Sequence, residues 1–93
     1  MSASPTFEDF RTQAEAQGCT EVLERCWAAD TVLAEHSHPF AASALVVQGE
    51  MWLARASGEQ HLRAGDRFEV DAKALHSERY GPDGTTVWVG RRH

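Results

Sequence analysis

Residues 36–49 read HSHPFAASALVVQG, which is a pair of histidines one residue apart followed by an apolar run that ends in glycine. In a β-strand, residues i and i+2 point to the same face, so His36 and His38 are expected to project together. Imidazole is a frequent protein ligand for first-row transition metals. The segment therefore predicts a strand that carries half of a metal-coordination shell.

Short apolar segments separated by turn residues lie on both sides of this stretch. Segments with several β-branched or aromatic residues alternate with Gly-containing turns, such as the sequence GPDG at 81–84. No helical crossover separates them, so the sheets are expected to be antiparallel. The pattern predicts an all-β sandwich or barrel over about 20–92, with strands at 20–29, 31–38, 44–55, 59–63, 68–70, 75–80 and 85–89.

The first residues carry a helical pattern instead. Ser4 can cap a helix, and Pro5 suits its first position. Three apolar residues recur at helical spacing and form one face: Phe7, Phe10 and Ala14. A helix over about 5–17 is predicted to pack against the outside of the sheets.

A length of 93 residues indicates that the chain, residues 1–93, is one domain. Nine basic and fourteen acidic side chains give a net charge of −5, which argues against a nucleic-acid-binding face. The basic pair Arg91 and Arg92 is interpreted as a solvated tail. No apolar run approaches the roughly 20 residues of a membrane span, and the start lacks signal-peptide features, so a cytoplasmic protein is expected.

Two cysteines, Cys19 and Cys26, have neither a CxxC nor a zinc-ribbon spacing. In a reducing compartment both are expected to be free thiols. Cys26 falls in a predicted strand, where a small buried apolar role is the preferred interpretation.

A third histidine follows a second glycine turn. Residues 65–76 read GDRFEVDAKALH, in which Gly65 and Asp66 suit a tight turn and His76 lies eleven positions after the glycine. The order of His36, His38 and Gly49, then Gly65 and His76, resembles the two motifs of the cupin family. This resemblance implies a cupin double-stranded β-helix, or jelly-roll, barrel. It also implies a divalent metal in the barrel mouth, held by the three histidines.

The sequence departs from the cupin pattern in three places. The motif glutamate is replaced by Ala42, or by Ser43 with the longer spacing; the Pro-x-Gly is 71–73 (DAK); and the final Asn is Tyr80. Without the glutamate, three neutral histidines would leave the full +2 charge on the metal, which favours anionic ligands and raises the redox potential. Such three-histidine sites resemble those of thiol and diketone-cleaving dioxygenases.

Glu78 and Tyr80 follow His76 at strand spacing and are expected on its face. Glu78 is a candidate extra ligand or a partner of the ligands, although a surface carboxylate paired with an arginine is the preferred interpretation. Tyr80 is the candidate catalytic residue, as a hydrogen-bond or proton donor. His61 and His93 are expected to be exposed and without a role.

Four aromatic residues fall in or near the predicted strands, and core packing is the preferred role for most of them: Phe40, Trp52, Phe68 and Trp88. One or two of them are expected to line the mouth. Gln48 shares strand parity with Trp52, which would place a polar group near that wall.

The sequence leaves three functions open. The first is a metal-dependent dioxygenase or related small-molecule enzyme, with iron, manganese, nickel, copper or zinc as the ion. The second is a non-catalytic barrel that binds or senses a small ligand, and the third is a metal-free cupin. A thin core and exposed sheet edges predict a homodimer.

Overall fold

A computed structural model describes residues 5–93, in which one helix precedes eight β-strands. Their bounds are α1 Phe7–Ala16, β1 Glu21–Trp27, β2 Val32–His36, β3 Ala41–Gln48, β4 Glu50–Arg55, β5 Gly58–Arg63, β6 Arg67–Val70, β7 His76–Tyr80 and β8 Thr85–Arg92. The predicted all-β class with a short N-terminal helix is confirmed.

The strands form two four-stranded sheets. The first has the order β1-β8-β3-β6 and the second the order β2-β7-β4-β5. Every strand pair is antiparallel, as predicted. Alternate residues of the two sheets bury one shared core, in which Val46, Met51 and Leu53 are fully inaccessible to solvent. The remaining space between the sheets is the cavity described below.

The apolar run predicted as one strand over 44–55 is two strands in different sheets. Gly49 separates them with a φ of +80°, and a Cβ there would collide with the carbonyl oxygen of Gly84. The chain therefore crosses from β3 in the first sheet to β4 in the second. The prediction that Gln48 shares a face with Trp52 was wrong because strand parity does not continue through this crossing.

The helix begins after Thr6, whose hydroxyl accepts the amide N–H of Asp9, while the carboxylate of Asp9 accepts the amide of Thr6. Pro5 thus precedes the cap instead of opening the helix, and the predicted cap Ser4 lies outside the described residues. Phe10 and Ala14 are buried against the outer face of the first sheet, as predicted. At ten residues α1 is too short to cross a bilayer, and no other described segment is a membrane-spanning helix.

Two predictions about exposure were wrong. Cys26 is exposed, since β1 turns its neighbours Arg25 and Trp27 inward; the buried thiol is that of Cys19. Arg91 and Arg92 belong to β8 and not to a tail; Arg92 is exposed, as expected, but Arg91 is half-buried. Alternation along β8 places Arg91 on the same face as Val89, which lines the interior.

Candidate metal centre

A β-bulge in β2 brings His36 and His76 together. Leu33 pairs with Glu78, and His36 pairs with His76, with a register shift between the two pairs. Residues 33 and 36 have opposite parity in a regular strand, so the shift allows both to face the barrel interior. The two imidazole centroids are consequently 4.4 Å apart.

His38 lies beyond the end of β2, although it was predicted inside that strand. Its position is fixed by local contacts and not by strand geometry. Its carbonyl accepts the amide of Lys73 at 2.7 Å, and its ring stacks on Phe40 with centroids 4.2 Å apart. These contacts turn the imidazole toward His76, whose centroid is 5.0 Å away.

All three imidazoles are oriented by a backbone carbonyl. The Nδ1 atoms of His36, His38 and His76 lie 2.7, 3.1 and 2.9 Å from the carbonyl oxygens of residues 34, 40 and 74. A carbonyl can only accept, so each Nδ1 donates and each neutral ring has its lone pair on Nε2. One ring nitrogen from each residue lies within 4.8 Å of the others. This donor set fits a divalent transition metal.

The position of the missing motif glutamate is occupied by Ala42. Its side chain is buried and faces the cavity, whereas Ser43 faces away and its hydroxyl donates to Glu69 at 3.0 Å. Of the two spacings that the motif allows between His38 and its glutamate, the shorter one, which ends at Ala42, therefore points into the cavity. A methyl group stands where the motif has a carboxylate.

Glu78 faces the cavity and not the outer surface. Its side chain is 13% exposed, and its Oε2 is 3.7 Å from Nε2 of His36. The preferred interpretation as a surface carboxylate was wrong because alternation along β7 puts Glu78 on the face of His76. Its role as a ligand or as a partner of the ligands stays a prediction.

Tyr80 also lines the cavity. Its ring stacks on Trp27, with centroids 4.9 Å apart and an interplanar angle of 16°. Burial raises the pKa of its phenol well above the ordinary value, and the negative charge of Glu78 acts in the same direction. The hydroxyl therefore keeps its proton at neutral pH.

The cavity between the sheets has a volume of about 280 Å³. Of the four aromatic residues considered from sequence, Phe40 and Phe68 line it. Trp88 packs on the helix, and Trp52 stacks on His61 on the outer face of the second sheet. His61 and His93 are exposed, as expected.

Sequence reasoning missed both arginines of the cavity wall, Arg25 and Arg91. Both are charged residues in strands, which are usually assigned to the solvent face. The signal that could have found them is alternation: Arg25 is two residues from Trp27, and Arg91 is two residues from Val89.

No protein-family model matches the sequence, and no curated protein matches it. Solved structures do resemble it. An RmlC-like cupin from Shewanella frigidimarina is 22% identical with a TM-score of 0.63, over 78% of this chain and 68% of that one. The DMSP lyase DddQ from Ruegeria pomeroyi is 18% identical with a TM-score of 0.70, over 77% and 37%.

A cupin domain of an XRE-family transcriptional regulator from Enterobacter cloacae is 12% identical with a TM-score of 0.64, over 77% of this chain and 79% of that one. The chain spans only 37% of the lyase. At these identities the likeness concerns the fold, and proteins that share it include an enzyme and a domain of a regulator. With its two antiparallel sheets and its order of strands, the chain has a cupin-type fold.

Proposed function

We propose that the barrel is a metal-dependent small-molecule site in which His36, His38 and His76 hold one divalent transition metal. The observation that carries this proposal is the set of three Nδ1–carbonyl hydrogen bonds. Each bond fixes the tautomer and the orientation of a ring, which is how proteins usually prepare metal-binding imidazoles. Three histidines with unrelated roles would have no reason to share this arrangement.

The donor set determines the chemistry that such an ion would supply. Held by three neutral ligands, a divalent ion keeps its full charge and acts as a Lewis acid, with redox chemistry available if it is iron, manganese or copper. The cavity beside it takes a small organic molecule. Tyr80 offers that molecule a neutral hydroxyl, and Phe40 and Phe68 offer it apolar walls. The resulting function is that of a dioxygenase or a related small-molecule enzyme.

A second candidate is a barrel that binds or senses a small ligand without turnover. The share of each similar protein that this chain covers favours it, because the chain spans 79% of the regulator's cupin domain but only 37% of the lyase. The two candidates share the metal and the cavity and differ in whether a bound molecule is changed. Mass spectrometry of a candidate ligand after incubation with the metal-loaded protein and air distinguishes them.

The predicted homodimer and the cytoplasmic location stay predictions. Light scattering coupled to size-exclusion chromatography tests the first, and a monomer would remove it.

The metal proposal is tested by elemental mass spectrometry of untagged protein. The wild-type protein and a His61→Ala variant should each contain about one equivalent of metal, while His76→Ala should contain none. His61 is the matched control, because it is an exposed histidine on the outer face. Circular dichroism of the His76 variant checks that it is folded. The proposal fails if the wild-type protein takes up no ion after anaerobic reconstitution, or if folded His76→Ala protein retains it.

A further inference from the structure

Two arginines face the histidines across the cavity. Arg25 of β1 and Arg91 of β8 belong to the first sheet, while His36 and His76 belong to the second. Each guanidinium lies over an aromatic ring of the cavity, that of Arg25 at 4.7 Å from the centroid of Trp27 and that of Arg91 at 4.6 Å from Phe40. The aromatic faces hold the two cations at the cavity wall.

The guanidinium of Arg91 is only partly satisfied by the protein. Its Nη1 donates to Oε1 of Glu21 at 2.9 Å. Its Nε is buried and has no hydrogen-bond partner among residues 5–93. Because Glu21 occupies Nη1 and Nε is closed off from solvent, the N–H groups of Nη2 are the ones that an acceptor from solution can reach. A charged N–H donor of this kind forms a strong hydrogen bond with a carboxylate oxygen.

Arg25 adds a second positive charge to the cavity wall, opposite Val87 and four residues along the β1–β8 ladder from Arg91. Within the described part of the chain it forms no ion pair. The negative charges nearby are Glu78, beside His36, and the more exposed Glu21, beside Arg91. The cavity wall therefore carries two arginines and one carboxylate, that of Glu78, although the protein has a net charge of −5. A divalent ion on the histidines would make the cavity positive.

The position of Arg91 connects this charge to the missing glutamate. Arg91 is the direct neighbour of Ala42 in the β3–β8 ladder. A methyl group at position 42 leaves the guanidinium of Arg91 without a carboxylate partner on that side. The sequence change that removes an anionic ligand of the metal thus also leaves a place for an anion from solution.

We propose that Arg91 binds the carboxylate of a small organic acid whose other end faces the three histidines. This inference deepens the proposed function by naming a substrate class, and it rests on that function only for the identity of the cavity as the ligand site. The same cavity is also lined by the apolar side chains of Phe68, Val87 and Val89. The acid is therefore expected to carry an apolar body.

Calorimetry with acetate, pyruvate and benzoate tests the inference, each acid beside its neutral amide. At least one acid should bind to the wild-type protein, and its amide should not. Arg91→Gln should weaken the binding by about tenfold or more, the loss of one charge-assisted hydrogen bond. Arg79→Gln should leave it unchanged, since Arg79 lies over Trp52 on the outer face. Arg91→Lys keeps the charge beside Glu21 but cannot hold Glu21 and a second carboxylate on separate nitrogens, and should lose affinity while keeping the melting temperature of the free protein.

Each titration is run on EDTA-treated and on metal-loaded protein, which separates the two proposals. Acid binding by the EDTA-treated protein that Arg91→Gln weakens supports the arginine site even if no metal binds. Metal uptake without binding of any of the three acids overturns the arginine site and leaves the metal site standing. Equal losses in Arg91→Gln and Arg79→Gln would also overturn it, because the effect would then be that of net charge.

Discussion

His36 and His76 are direct neighbours across the β2–β7 ladder, and both present Nε2 to the cavity because both Nδ1 atoms donate to a carbonyl two residues earlier in the chain. The same i to i−2 hydrogen bond on two facing strands gives the site an approximate local symmetry. The pairing of β2 with β7 therefore positions two of the three nitrogen ligands. His38, in the segment after β2, supplies the third nitrogen.

Metal binding should stabilise the folded protein. An ion that binds only the folded state adds about 2.7 kcal/mol when its concentration is 100 times its Kd. Thermal unfolding should therefore show a higher Tm with metal than with EDTA. His36→Ala should abolish this difference and change the Tm in EDTA little, since His36 is only partly buried. His61→Ala should keep the difference, and a metal-dependent shift that survives in His36→Ala would contradict the site.

Restoring the motif carboxylate should strengthen metal binding. In Ala42→Glu, an anionic donor enters the cavity from a position that already faces it, and a carboxylate lowers the charge of the complex. We expect the metal Kd to fall by about tenfold, or about 1.4 kcal/mol, and carboxylate binding to weaken through competition for Arg91. Ser43→Glu is the matched control, because Ser43 faces away from the cavity. Equal metal affinities in Ala42→Glu and the wild-type protein would show that position 42 does not reach the ion.

The crossing at Gly49 should tolerate no side chain. Gly49→Ala places a Cβ against the backbone carbonyl of Gly84 and forces a non-glycine residue to a φ of +80°. The left-handed conformation alone costs about 1–2 kcal/mol, and the collision adds to it. Gly58→Ala shares the positive φ but meets open space, so it isolates the conformational cost. Urea unfolding should show the larger loss for Gly49→Ala; equal losses would mean that the crossing relaxes easily.

The sequence identified the three histidines because their spacing is independent of strand boundaries. HxH and a histidine eleven residues after a glycine can be recognised without knowing where β2 ends. The expectation that parity alone aligns His36 and His38 was nevertheless wrong, since His38 lies outside the strand. Its position depends on the Lys73 amide and on the Phe40 ring, which are contacts that no residue spacing encodes.

Residues that depend on strand parity were harder to place. Strand spacing put Glu78 on the face of His76, yet a surface carboxylate was the preferred interpretation, and Arg25 and Arg91 were missed, because hydrophobic patterning assigns charged residues to solvent. A mouth that binds an anion reverses this rule at a few positions. The crossing at Gly49 was hidden for a different reason: the apolar run continues through it, so periodicity showed no break.

The single tyrosine of the chain allows a direct test of the cavity's burial. Its raised pKa means that the folded state holds the phenol proton more tightly than the unfolded state, whose pKa is near 10. The resulting stabilisation is complete below about pH 10 and is lost as the pH rises above it. Absorbance at 295 nm should therefore show tyrosinate only when circular dichroism shows unfolding. Tyr80→Phe should remove the absorbance change. Tyrosinate formed near pH 10 in folded protein would mean that water enters the cavity as far as Tyr80.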